Sequence, residues 1–342
     1  MDTEELVESI VRALMFLAGI VGNNWLAISA IPSKSGICTN DVLFVNLAVS
    51  NLITNYLVDL PDTIADFAGH WFMGETFCGV FRFCADLSET SSIFTTFFIS
   101  AFWHQKLVGS LKRGGAPVKL DNVGLVLGLL AGSWATALAF SVPHFFFVRV
   151  KVTNESEEDC VDVFPDDFSR KTYEVFYLTL ANALPLAGLL FASGQIVVTL
   201  MKNQQRIRNR NAELDKDEAL EGAARTASRP SATLSNHVYM GTPASVSCPD
   251  TRSACGAPPK LSKVNLGKTN SSSQVRAAKS VVAVASVFLV CWLTHLLLRI
   301  TNNFHTSLLM VEVASYIAAS YTCIIPYIFL HGVKKLTCSC KR

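Results

Sequence analysis

Between Cys78 and His104 the chain reads CGVFRFCADLSETSSIFTTFFISAFWH, a stretch with the length and apolar content of a membrane-spanning helix that nevertheless carries Arg82, Asp86 and Glu89. At roughly 100° per residue these side chains fall at about 0°, 40° and −20°, so they share one face over about 10 Å of helix axis. A guanidinium beside two carboxylates in apolar surroundings has two uses. Asp86 and Glu89 can anchor an amine or hydroxyl, or Arg82 can clamp a carboxylate bidentately. The same residues can also close on themselves, because Arg82 and Asp86 stand four residues apart on that face. Lipid penalises each such charge, so the face must point into a helix bundle.

Other segments supply candidate partners at a comparable depth. His295 and Arg299 are one helical turn apart and share a face. Asn182, Glu312 and Tyr316 complete the candidate ligand-binding set, and Trp292 supplies a large ring for an apolar floor. Asp59 and His144 fall at the rim. Deeper in, Asn23, Asn24, Asn46, Ser50 and Asn51 form a polar patch whose interhelical hydrogen bonds are worth about 0.6 to 2 kcal/mol each, so packing alone accounts for it. Trp103, His104, Lys106, Lys112 and Arg113 border the opposite end. The apolar segments contain no metal-ligand or nucleophile–base spacing, so the chain reads as a non-enzyme, without cofactor or metal.

The elements that position these residues follow from composition. Half of the 342 residues are hydrophobic and 16% are charged, against about 25% charged in soluble domains, and the mean hydropathy is +0.35. This is an all-α membrane protein, and nucleic acid is not implied. Seven segments reach the roughly 20 residues that cross a bilayer: about 9 to 31, 40 to 63, 76 to 106, 121 to 147, 173 to 202, 277 to 301 and 307 to 331. The acidic start, MDTEELVES, lacks the basic region of a signal peptide, so the first helix is expected to act as the signal anchor.

Lys and Arg counts set the orientation. With the N-terminus outside and the C-terminus in the cytosol, inner loops and tail hold 22 of these residues and outer loops four. The expected organisation is an outer N-terminus over 1–8, helices one to five over 9–202, a long disordered cytosolic loop over 203–276, helices six and seven over 277–331 and a cytosolic tail over 332–342. The loop is rich in Ser, Ala, Asn, Lys and Arg without a sustained apolar period; its first turn or two, KNQQRIRNR, extends helix five. Its basic ends suit contact with anionic lipid or with an acidic cytosolic partner. Asn154 opens a glycosylation sequon in an outer loop.

Cysteines divide by compartment. Cys78 and Cys160 are the two on the oxidising side and form the natural disulfide pair. Cys38, Cys84, Cys291 and Cys323 suit packing, and Cys248 and Cys255 lie in the reducing cytosol. Cys338 and Cys340, beside Lys334, Lys335, Lys341 and Arg342, suit palmitoylation of a short helix lying on the membrane, or remain free thiols.

Landmarks along all seven segments resemble those of the rhodopsin-like G-protein-coupled receptors: Gly22-Asn23, Leu47-Ala48, Trp71 and Cys78, Trp134, Pro185, Cys291-Trp292 and Pro326, in order. The departures are equally specific. Phe102-Trp103-His104 stands where most of the family has an acid-arginine-aromatic triplet, Asn51 where it has the aspartate that holds a sodium ion, and Thr294 where it has a proline. Ile325-Pro326-Tyr327-Ile328-Phe329 replaces the asparagine-proline-x-x-tyrosine motif. This combination, with FVNLAVSNLI and FFISAFWHQKLVGSLKRGG, is similar to type 1 vomeronasal receptors and the olfactory receptor class A-like proteins, although the long loop between helices five and six is unusual for them.

The resemblance implies a multi-pass plasma-membrane receptor in which an odorant or pheromone, small and polar or charged, binds in the outer half of the bundle and a heterotrimeric G protein docks near Trp103, His104, Lys106, Lys112 and Arg113. An amine or peptide receptor is the alternative; the short stretch before the first helix favours a small ligand. A transporter or channel is disfavoured by the lack of an internal repeat and of charges crossing to the inner face.

Overall fold

The computed structural model describes residues 3–31, 37–112, 118–152, 158–227, 266–301, 313, 316–317 and 319–333. The chain divides into two units, residues 202–269 and the remainder. In the larger unit, α1 (Thr3–Ala30) is followed by α2 (Thr39–Thr54), a wide turn of i→i+5 hydrogen bonds over Asn55–Asp59, and α3 (Leu60–Ala68). Pro61 explains the wide turn: it has no N–H to give the carbonyl four residues back, so the preceding turn opens. The same device recurs where α7 (Asp167–Phe176) passes through a wide turn at Tyr177–Ala183 into α8 (Leu184–Ala227), one residue before Pro185.

Helix α3 stops at Gly69, whose φ of 73° is a left-handed conformation that glycine adopts without steric cost. Helix α4 (Gly74–Lys112) carries the charged face. Helix α5 (Val123–Ser141) is capped by the Asn122 side chain, which accepts from the N–H groups of Gly124 and Leu125. A short turn, α6 (His144–Phe147), leads into an antiparallel hairpin of β1 (Val148–Val152) and β2 (Glu158–Asp162) with Val150 opposite Cys160. Cys160 is disulfide-bonded to Cys78, which pins the hairpin onto α4. Helices α9 (Leu266–Thr301) and α10 (Tyr321–Val333) complete the described elements.

Five helices among the described residues are long and apolar enough to cross a membrane. Their outward faces are apolar, as a lipid-facing surface requires: Ile28 and Phe191 are each 68% exposed. Inside, Leu43, Leu47, Ile99, Phe102, Val126, Leu189, Ile196, Val281, Phe288, Ile325 and Phe329 form the main core. Trp71, Cys78, Phe81, Val148 and Cys160 form a smaller one at the disulfide end.

The polar patch ties five helices together. Asn46 Nδ2 donates to Thr95 Oγ1 at 2.7 Å, Ser50 and Ser91 hydroxyls meet at 2.7 Å, and Thr54 Oγ1 donates to Ser88 Oγ at 2.8 Å, a polar seam between α2 and α4. Trp134 Nε1 of α5 donates to Asn46 Oδ1 at 2.9 Å. Asn51 donates to Asn23 Oδ1 at 3.0 Å and accepts from Ser92 at 2.7 Å, while Asn23 donates to the Thr322 carbonyl at 2.9 Å. With no water to compete in the membrane, such bonds fix helix register.

The expected disordered stretch 203–276 needs correcting at both ends. Helix α8 continues to Ala227 and α9 begins at Leu266. Residues 211–227, NAELDKDEALEGAARTA, are polar yet made largely of strong helix formers. The seventh segment is described from Tyr321 onward, with parts of its approach. Asn154, Glu312, Arg113, Cys338 and Cys340 lie outside the described residues.

Candidate functional site

The three charges on the shared face of α4 go to three different partners. The Arg82 guanidinium donates through Nη2 to the Cys160 carbonyl at 2.8 Å and lies over the Phe81 ring at 5.6 Å. Its Nε–H is buried without a hydrogen-bond partner. Asp86, one turn on, does not pair with Arg82. It is buried, and its Oδ2 faces His144 Nε2 at 2.8 Å and accepts from the Tyr173 hydroxyl at 2.8 Å. Glu89 Oε2 accepts from the Tyr177 hydroxyl at 3.1 Å.

His144 is the centre of the second cluster. Its other nitrogen, Nδ1, faces Asp162 Oδ1 at 2.9 Å, so both ring nitrogens meet carboxylate oxygens. Both N–H groups donate in that arrangement, that of an imidazolium bridging two carboxylates. Tyr173 stands edge-on to the imidazole, and its hydroxyl also reaches the Phe140 carbonyl at 2.8 Å. Asp86 therefore belongs to a closed network joining α4, α6, β2 and α7. A residue assigned to the rim proves to be the anchor, and the Arg82–Asp86 ion pair, the alternative that the spacing left open, is not formed.

Arg82 instead faces a cavity of about 1050 Å³ at the disulfide end. Helix α1 lines it with Ser9, Arg12, Met15 and Phe16. The wide turn after α2 and helix α3 add Val58, Asp59, Asp62, Thr63 and Asp66. His70, Trp71, Phe81, Cys160, Val161, Tyr316 and Thr322 complete the wall. Arg12 Nη1 pairs with Asp62 Oδ2 at 2.6 Å and with Asp66 Oδ2 at 3.0 Å, and its guanidinium lies 5.5 Å from the Tyr316 ring centroid. Asp59 Oδ2 accepts from Asn55 Nδ2 at 2.7 Å.

Of the sequence-derived ligand set, Arg82 and Tyr316 line this cavity, joined by the rim residue Asp59. Asp86 and Glu89 turn to the α5–α8 side. Asn182 is buried, with its Oδ1 unpartnered and its Nδ2 at the limit of a bond to the Tyr177 carbonyl. Trp292 packs against the main core. The side chains of His295 and Arg299, and Glu312 entirely, lie outside the described residues. Arg12, Asp62 and Asp66 escaped sequence reasoning, although the signal existed: Asp59, Asp62 and Asp66 fall at i, i+3 and i+7 of one span, and Arg12 is the lone cation of the first.

At the opposite end the structure also revises one assignment. Trp103 is buried in the main core rather than open at the surface. Lys106 lies 4.9 Å from the Phe102 ring centroid and 5.5 Å from that of Trp103, and His104 is half-buried. Lys112 ends α4, with its side chain outside the described residues.

These features define a helical membrane receptor fold: a polar-seamed helix bundle, a hairpin disulfide-bonded to its central helix, and a charged cavity beneath. The crystal structure of squid rhodopsin shares the fold, with a TM-score of 0.65 and 15% identity over 97% of this chain and 83% of that one. The profile of the family described as 7 transmembrane receptor (rhodopsin family) matches residues 22–330, and the chain belongs to that family. It is a multi-pass plasma-membrane protein, of a family of receptors rather than enzymes.

Among curated proteins, human (Homo sapiens) C-X-C chemokine receptor type 1 is 26% identical over 207 residues, 59% of this chain and 57% of that receptor. Atypical chemokine receptor 2 of Mus musculus is 27% identical over 195 residues, 56% of this chain and 50% of that receptor. Rhodopsin of Cambarus maculatus is 23% identical over 204 residues, 60% of this chain and 65% of that protein. Each match spans less than two thirds of the relative's own length.

Proposed function

We propose that this chain is a G-protein-coupled receptor whose disulfide end faces outside and binds a small polar or charged molecule in the charged cavity. Binding shifts the bundle between two states, and the opposite end activates a heterotrimeric G protein. The observation that carries the reading is a cavity of about 1050 Å³ at the disulfide end of a receptor-family bundle, walled by charged groups that a lipid-facing surface would not keep. The excess of Lys and Arg in the proposed inner loops supports the orientation.

Within that reading the ligand is an odorant or pheromone. Phe102-Trp103-His104, Asn51 and Thr294 support this finer assignment, because the altered activation motifs resemble the chemosensory branch. His104, Lys106, Lys112 and Arg113 are proposed to border the G-protein surface. Asn154 is proposed as the glycosylated site, and Cys338 and Cys340 as palmitoylated anchors to membrane lipid. A second reading, a peptide receptor, is favoured by the likeness to chemokine receptors.

Expression with a promiscuous G protein and a calcium readout separates the two readings. Amines, carboxylates, aminocarboxylates and short peptides are applied to cells whose surface expression is measured. Responses to small molecules that fall in Arg82→Ala and Asp59→Asn support the chemosensory reading; responses confined to peptides support the second. Unchanged responses in both variants would remove the cavity as the ligand site.

A further inference from the structure

Resting on the cavity as the ligand site, we infer that its ligand is a zwitterion, a small molecule carrying both an ammonium and a carboxylate. Five formal charges line the cavity: Arg12, Arg82, Asp59, Asp62 and Asp66. Three of them pair with one another, since Arg12 meets both Asp62 and Asp66 within 3.0 Å, and this group keeps one net negative charge. Two poles remain. Asp59 receives a hydrogen bond from the neutral Asn55 amide, and among the described residues no cation lies within ion-pair distance of it. Arg82 spends one of its five N–H donors on the Cys160 carbonyl. Asp62 is near enough to feel its charge, but among the described residues no carboxylate lies within ion-pair distance of it, and its Nε–H is buried and unmatched.

The two remaining poles have opposite sign and stand on different walls of one cavity, Asp59 on the wide turn after α2 and Arg82 on α4. Desolvating either beneath a ligand that cannot answer it leaves an uncompensated charge, a penalty that both a simple amine and a simple carboxylate incur. An aminocarboxylate answers both. Its ammonium sits at Asp59, and its carboxylate takes the guanidinium donors of Arg82, whose planar fork matches a carboxylate. Trp71, Phe81 and Tyr316 wall the cavity with rings, which suits an apolar or aromatic body between the charged ends.

The test uses the full chain, purified in lipid nanodiscs, with binding read as a thermal shift so that it does not depend on signalling. The probes are ω-aminocarboxylates of three to eight carbons and the aromatic α-amino acids, each with its methyl ester, which keeps only the cation, and its N-acetyl form, which keeps only the anion. The expected result is a parent compound at least tenfold tighter than both capped forms. Asp59→Asn should abolish discrimination against the N-acetyl form, and Arg82→Gln should abolish discrimination against the ester. That swap of selectivity would not arise from a merely structural role.

A capped form binding as tightly as its parent overturns the assignment, and so does failure of the whole series to bind. The receptor reading fails separately, if no compound found by the calcium screen drives nucleotide exchange on a G protein.

Discussion

Replacing His144 by leucine tests how the disulfide end of the bundle is held together. The imidazole bridges Asp86 and Asp162, with His144 and Asp86 side chains only 7% and 11% exposed. Asp162, at 29% exposure, can re-solvate, so its half of the bridge counts for little. Asp86 cannot. Breaking a buried ion pair by removing one partner costs about 3 to 5 kcal/mol, and the surviving Tyr173 hydrogen bond, retained in the variant, offsets part of this.

We expect His144→Leu to lose about 3 kcal/mol on these grounds. Removing both charges, as in His144→Leu with Asp86→Leu, should recover most of it, because a buried pair replaced by apolar groups is often nearly neutral. The assay is unfolding in mixed micelles titrated with a denaturing detergent, run as a double-mutant cycle. A loss below about 1 kcal/mol in the single variant, or a double variant as unstable as the single, would refute a buried imidazolium bridge.

Three other predictions are independent of this cluster. A Cβ at Gly188 would come within 2.6 Å of the Phe97 ring, so Gly188→Ala should destabilise the same transition by about 1 to 3 kcal/mol, and Phe97→Leu should relieve it; an unchanged transition would contradict this packing. Asn51 donates its amide N–H to Asn23 and accepts from the Ser92 hydroxyl, so ligand affinity should respond little to sodium in the wild type, and a large sodium dependence in a radioligand assay would contradict a neutral seam. The Asp166 carboxyl, which caps α7, is held below its ordinary value first by the Ser169 backbone N–H. Its contribution is therefore full above the ordinary carboxylate pKa and disappears as pH falls through the lowered one. Amide exchange in the first turn of α7 should be faster in Asp166→Ala at neutral pH and converge with wild type in acid; equal protection at neutral pH would contradict the cap.

The helical spans were legible because crossing a bilayer demands length and apolarity that few other structures need. Compartment alone paired Cys78 with Cys160. The charged face of α4 was legible too, but its partners were not. Arg82, Asp86 and Glu89 share a stripe, yet one faces the hairpin, one the His144 cluster and one Tyr177, because neighbouring elements change with height along a helix. Spacing of four residues makes an ion pair available, and a better-placed imidazole took the carboxylate.

The missed residues have physical reasons as well. Asp62 and Asp66 lie beyond Pro61, where the apolar run thins and charges read as solvated, and Arg12 sits near the start of its span, where a long side chain can reach the interface. Trp103 lies beside His104 and Lys106 in sequence and was placed with them at the surface; helical phase turns it into the core instead. In residues 211–227 polarity signalled disorder, whereas Ala, Glu, Leu, Lys and Arg favour a helix with or without an apolar face.

The cavity beside Arg82 and Asp59 is proposed to receive the signalling ligand. Its most direct test is a concentration–response curve for an agonist found in the calcium screen, on wild type, Arg82→Gln, Asp59→Asn and Glu89→Gln at matched surface expression. Potency should fall roughly tenfold or more in the first two variants, corresponding to about 1.4 kcal/mol or more each, and change little in Glu89→Gln, whose carboxylate accepts from Tyr177 away from the cavity. Wild-type potency in Arg82→Gln and Asp59→Asn, with loss confined to Glu89→Gln, would contradict it.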